Sequence, residues 1–124
     1  MYEDVIKCIA SPVKMHDLKD EVTTCLGWLA TVIQNLSRAY SERHSGVIDV
    51  DTARHTFGKR LQQEGVKVTE AYLDRAYVED AQYMNTLKRL NSIKEEEQMC
   101  SYLHEALKLR HQALVALISK QIQY

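Results

Sequence analysis

The sequence predicts an all-α protein of three to four helices, organised around a long antiparallel helical hairpin of the coiled-coil-like bundle kind. Two observations carry that prediction. From Glu70 to Tyr124 the chain contains no Gly or Pro, and so long a stretch without a breaker reads as helix. Within it Tyr83, Leu87, Leu90, Ile93, Cys100, Leu103, Leu107, Leu114 and Ile118 lie on three- and four-residue steps or their sums, the spacing of one helical face. Earlier, Leu18, Val22, Cys25, Leu29, Val32, Leu36 and Ala39 step by four and three, which gives a second helix with a heptad stripe.

Taken in order, residues 1–16 read as a lead-in containing the turn signal Ser11-Pro12 and packing through Val5, Ile6 and Ile9, or fraying. The first long helix is expected over 17–44, with Leu26, Ile33 and Tyr40 as a flanking apolar row. Gly27 sits inside it, at a cost of up to ~1 kcal/mol; it marks either a close approach of a neighbouring helix or a tolerated substitution. Gly46 and the run Val47-Ile48-Asp49-Val50-Asp51 predict a loop. A second helix, capped by Asp51 or Thr52, then spans 52–64 and stops at Gly65. Thr69 is the next N-cap candidate, with Glu70 in the first turn. The last element is expected over 69–122, beginning with a short helix from Glu70 to Val78 that either bends near Glu79-Asp80 or continues there into the long one, with Asp80 the last plausible cap.

Length and composition bound the function classes. A chain of 124 residues, 45% hydrophobic and 27% charged, suits a single helical domain and not a disordered segment. Sixteen basic against seventeen acidic residues give a net charge of −1, so no bulk positive field points to nucleic acid or an anionic membrane. Cys8, Cys25 and Cys100 are odd in number and far apart; reduced thiols in a cytoplasmic protein are the simplest reading. The acidic N-terminus does not resemble a signal peptide, and no window reaches the ~18 apolar residues of a membrane span.

No catalytic constellation stands out, and an enzyme is not expected. There is no Glu-x-x-His step for a di-metal bundle, no Gly-rich phosphate loop, and no nucleophile context around any of the five histidines. Glu97, Cys100 and His104 share a helical face, but amphipathicity explains their spacing, so neither metal nor cofactor is expected. Two basic groups remain. Arg54, Lys59 and Arg60, with His55 and then Lys67, form a stripe able to meet backbone phosphates. Lys108, with His104, His111, Arg110 beside them and Lys120 further on, forms the other. A solvated face is the plainer reading of both. Tyr72, Tyr77, Tyr83 and Tyr102 could stack bases, although tyrosines at helical spacing more commonly serve cores and interfaces.

On the last helix Met99, Tyr102, Ala106, Leu109, Ala113 and Ala116 form a second apolar stripe beside the first. One antiparallel partner would leave it wet, so it belongs to a bundle core or a subunit interface.

The layout also resembles a known family. Lys59-Arg60-Leu61-Gln62-Gln63-Glu64-Gly65, then Val66-Lys67-Val68-Thr69-Glu70, then the run from Tyr102 through Arg110 to His111 are similar to the UvsY-type recombination mediators of bacteriophages, over residues 17–120. The resemblance implies a non-enzymatic homo-oligomer in the host cytoplasm that binds single-stranded DNA and helps a RecA-like recombinase displace the single-strand binding protein. It implies that the family's basic helix maps onto Lys59 and Arg60 and that Leu107, Leu114, Leu117 and Ile118 carry the oligomer contacts. Joined with the two basic groups and the second apolar stripe, the expected DNA site is Arg54, Lys59, Arg60, Lys67, Lys108 and Arg110, and the expected oligomer surface adds Tyr102. Lys59 and Arg60 are adjacent here instead of separated by one residue, which turns them ~100° apart on a helix, and the near-neutral charge is a second departure. The competing expectation is a phage protein-interaction module: an adaptor, scaffold or inhibitor of a host protein that holds a partner by the broad apolar surface from Met99 onward.

Overall fold

A computed structural model describes residues 2–123. Among them are four α-helices, α1 (Glu3–Ala10), α2 (Leu18–Gln63), α3 (Glu70–Ala76) and α4 (Ala81–Gln123), with 3₁₀ turns at Met15–Asp17 and Tyr77–Glu79 and no strand. The protein is all-α, as its periodicity predicts. No helix among the described residues is long and apolar enough to cross a membrane.

The expected loop at 45–51 is absent: the helices expected over 17–44 and 52–64 are one 46-residue helix, α2. Gly46 falls on the same seven-residue row as the buried Leu18, Cys25, Val32, Ala39 and Ala53. An added Cβ at Gly46 would stand 3.0 Å from Leu90 Cδ1, so this glycine admits a neighbouring helix and does not end its own. Gly27 does the reverse, with nothing within 4 Å of an added Cβ, so of its two expected readings it is the tolerated substitution, and the close approach of a neighbouring helix occurs at Gly46. Thr52, expected as a cap, instead returns its hydroxyl proton to the Ile48 carbonyl at 2.9 Å, an ordinary interior arrangement for threonine.

The ends of α2, α3 and α4 follow from local chemistry. Gly65 has φ +82, Gly65 N donates to Gln62 O (3.1 Å) and Val66 N to Leu61 O (3.0 Å); this is the Schellman stop of α2. Thr69 Oγ1 accepts from Tyr72 N at 3.1 Å and begins α3. Asp80 Oδ1 accepts from Tyr83 N at 2.8 Å and begins α4, so of the two readings of 69–122 the bent one holds: a short helix from Glu70, the 3₁₀ turn, and the long helix restarted at that cap.

The chain divides into two compact units. One holds the residues up to Ser37 and those from Glu97 on; the other spans Arg38–Glu96. In the first, α2 and α4 run antiparallel, with Glu21 opposite Arg110 and Cys25 opposite Leu107. Its core is Val5, Leu18, Cys25, Val32, Cys100, Leu103, Leu107 and Leu114. The lead-in packs here as α1: Val5 is buried, Ile9 lies against the core and Ile6 faces outward. Tyr2 Oη and Cys100 Sγ are 3.0 Å apart. In the second unit the two helices again run antiparallel, Arg38 meeting Glu96 and Gly46 meeting Leu90. Its core gathers Ala53, Phe57, Leu61, Leu73, Ala76 and Tyr83 from three helices.

Candidate functional site

Half of the expected cation set is already engaged by carboxylates. Arg54 on α2 pairs with Glu70 and with Asp74 at 3.0 Å, both on α3. Arg60 pairs with Asp80 at 3.0 Å and lies over the Phe57 ring, 5.1 Å from its centroid. Arg110 is the most enclosed: its side chain is 11% exposed, and it donates to Glu21 Oε2 (3.0 Å), Ile9 O (3.2 Å) and Ser11 O (2.9 Å). It holds the C-terminal end of α1 to α2 and α4, so it is a structural residue and not a groove cation. Lys59, Lys67 and Lys108 are exposed and carry no ion pair among the described residues.

The open groove between α2 and α3, about 520 Å³, is where such cations could gather. Asp51, Arg54, His55, Lys59 and Glu70 supply its charge. Two basic and two acidic side chains leave it formally neutral with His55 uncharged, so it does not concentrate positive potential as a phosphate channel does. The stacking platforms are reduced as well. Tyr83 is buried against Phe57, Tyr72 and Tyr77 lie against the same core, and Tyr102 alone of the four stands in solvent.

The expected oligomer residues separate into two faces. Leu107 and Leu114 are fully buried inside the first unit, and Leu117 and Ile118 rest against its core. They form the intramolecular seam of α4, and Leu114→Asp would disrupt the fold before it could report on assembly. Tyr102 differs. It is 65% exposed, Leu109 57% and Met99 44%, with Ala113 and Ala116 exposed and Ala106 half-buried. These six positions step three and four residues apart, a continuous apolar row beside the buried one. Gln98 Nε2 donates to Tyr102 Oη at 3.1 Å, which satisfies the hydroxyl and leaves the ring face open. On α2 of the same unit, Leu26 and Ile33 form a shorter exposed row.

The thiols are quiet. Cys25 Sγ is buried and donates to Leu107 O at 3.4 Å. Its pKa is raised, chiefly by burial, then by the neighbouring Cys8, while Arg110 pulls the other way. Among the described residues no group of three or more His, Cys, Asp or Glu side chains is placed to hold a metal ion.

An exposed heptad row on a helix whose other row is already buried can do one thing chemically, which is to pack against another helix or apolar surface. Comparison of the chain with family models, curated proteins and solved structures gives no match, so this surface stands on its geometry alone.

Proposed function

We propose that the protein is a non-catalytic helical interaction module whose working surface is the outer row of α4. One observation carries this reading: Met99, Tyr102 and Leu109 stay in solvent at heptad spacing while the row beside them already forms a complete core with α1 and α2. Large apolar side chains aligned for three turns on a finished bundle are an interface awaiting its other half. The adaptor or scaffold expectation draws on this surface directly. The recombination-mediator expectation draws only on Lys59, Lys67 and Lys108, because the three arginines of its DNA site are held by Glu70, Asp74, Asp80 and Glu21.

Hydroxyl-radical footprinting tests the module reading without knowledge of the partner. Met99, Tyr102 and Leu109 should be labelled readily in the dilute purified chain and protected in the cells that produce it. Equal labelling in both settings would overturn the reading. Fluorescence anisotropy of a labelled single-stranded oligonucleotide, at low and moderate salt, tests the alternative: steeply salt-dependent binding would favour phosphate contact over apolar packing.

A further inference from the structure

The outer row of α4 is complementary to itself in one orientation. Carried one turn outward at each end, it reads Glu95, Met99, Tyr102, Ala106, Leu109, Ala113, Ala116, Lys120, every step three or four residues along one continuous helix. Bulk is concentrated at the N-terminal end and small residues at the C-terminal end, with an acid before the first and a base after the last. Glu95 and Lys120 are exposed and have no partner among the described residues.

We infer that the partner of this surface is a second copy of the same chain, paired antiparallel through α4. The inference rests on the interaction-module reading and supplies its occupant. In a single register all four pairs match: Glu95 faces Lys120 of the second copy, Met99 faces Ala116, Tyr102 faces Ala113, and Ala106 faces Leu109. The two-fold axis repeats each pair, so the contact is isologous and closes at a dimer. Every apolar layer then sets a large side chain against an alanine, which lets the helices approach without voids, and both ends are closed by opposite charges. A parallel pairing puts Tyr102 on Tyr102, Ala113 on Ala113, Glu95 on Glu95 and Lys120 on Lys120, leaving gaps, crowding and repulsion in the same structure. Gln98, Glu105 and Gln112 flank the row at seven-residue spacing and supply a polar rim. The row is narrow beside the ~800 Å² per partner of a standard interface, so the dimer forms reversibly with concentration.

Charge exchange on the full-length chain tests the register. Sedimentation velocity at low salt, over about 1 to 200 µM, should show a monomer converting to a dimer. Glu95→Lys and Lys120→Glu should each raise the dissociation constant roughly tenfold or more, because each places two like-charged pairs in the dimer. The double variant Glu95→Lys/Lys120→Glu should return to within about twofold of the parent, since every end pair is again opposite in sign. Both sites are exposed, and unchanged helicity by circular dichroism confirms that folding is intact. A parent chain that stays monomeric, or a double variant no better than either single one, would overturn antiparallel self-pairing. Footprint protection in cells from a chain that stays monomeric alone would then assign the surface to a different protein. Dimerisation indifferent to Leu109→Glu would place the self-contact elsewhere and overturn pairing through α4, while the module reading falls only if Met99, Tyr102 and Leu109 are labelled equally in the dilute chain and in cells.

Discussion

Replacing Arg110 by Met should destabilise the protein by about 3 kcal/mol, and the reasoning can be followed atom by atom. The substitution removes the partner of Glu21, a carboxylate only 17% exposed, and the donors to Ile9 O and Ser11 O at the end of α1. Breaking a buried ion pair from one side costs about 3–5 kcal/mol. Water reaches this pair in part, which puts the loss at the lower end. For a chain of 124 residues the corresponding fall in Tm is about 12 °C. Urea titration followed by circular dichroism measures the loss, and amide exchange should show α1 opening first. Arg110 Nε is buried and has no hydrogen-bond partner among the described residues, so the native pair itself carries an unsatisfied group. The double variant Glu21→Leu/Arg110→Met should therefore recover the part of the loss that comes from the stranded Glu21 carboxylate, because apolar side chains of similar size can replace a buried ion pair. In it α1, still without a donor to Ile9 O and Ser11 O, continues to open first. A loss under about 0.5 kcal/mol for Arg110→Met, or unchanged exchange in α1, would refute the claim that this residue fastens α1 to the bundle.

Three further outcomes follow from other parts of the fold. Gly27→Ala meets open space and should stabilise the chain by about 0.5–1 kcal/mol through helix propensity, whereas Gly46→Ala must displace Leu90 and should fall about 1–2 kcal/mol below it; equal urea midpoints would show that α4 does not approach α2 at Gly46. Asp80→Ala removes both the cap on Tyr83 N and the partner of Arg60 and should cost about 1–2 kcal/mol by the same assay, with Asp80→Asn, which keeps a capping oxygen, costing less. Burial raises the Cys25 pKa, so the folded state holds this thiol protonated. Its contribution to stability is complete below the ordinary thiol range near pH 8.5 and declines as pH rises from there toward the raised folded value. Alkylation at pH 8.5 should accordingly modify the half-buried Cys8 before Cys25, and the reverse order would contradict the burial.

Much of the fold was legible in the sequence because helical period is a local property. The stripes on α2 and α4, the Gly65 stop and the Thr69 and Asp80 caps each depend on residues within a turn or two. Gly46 was misread for the opposite reason. Its role depends on Leu90, more than forty residues away, and only its place on the seven-residue row with Ala39 and Ala53 hinted that the helix continues. α1 was legible as an apolar lead-in, but the clasp that seats it joins residues about a hundred positions apart, and no sequence spacing announces it.

The candidate site was legible in one half. The second stripe from Met99 to Ala116 is visible as a pattern, and the structure leaves it in solvent. The cations and the remaining interface residues were not separable by sequence, because periodicity gives the angle of a side chain on its helix and not the partner that waits there. Arg110 and Lys108 are two residues apart, yet one is enclosed by Glu21 and two carbonyls while the other is exposed. Leu107 and Leu109 show the same division between core and outer face.

That division is the central claim, and sedimentation velocity on Leu109→Glu, paired with a thermal melt, tests it most directly. The account predicts a variant with parent-like helicity and melting that remains monomeric at concentrations where the parent chain dimerises. A variant that dimerises like the parent, or that unfolds as a core substitution would, contradicts the assignment of the outer face of α4 to binding.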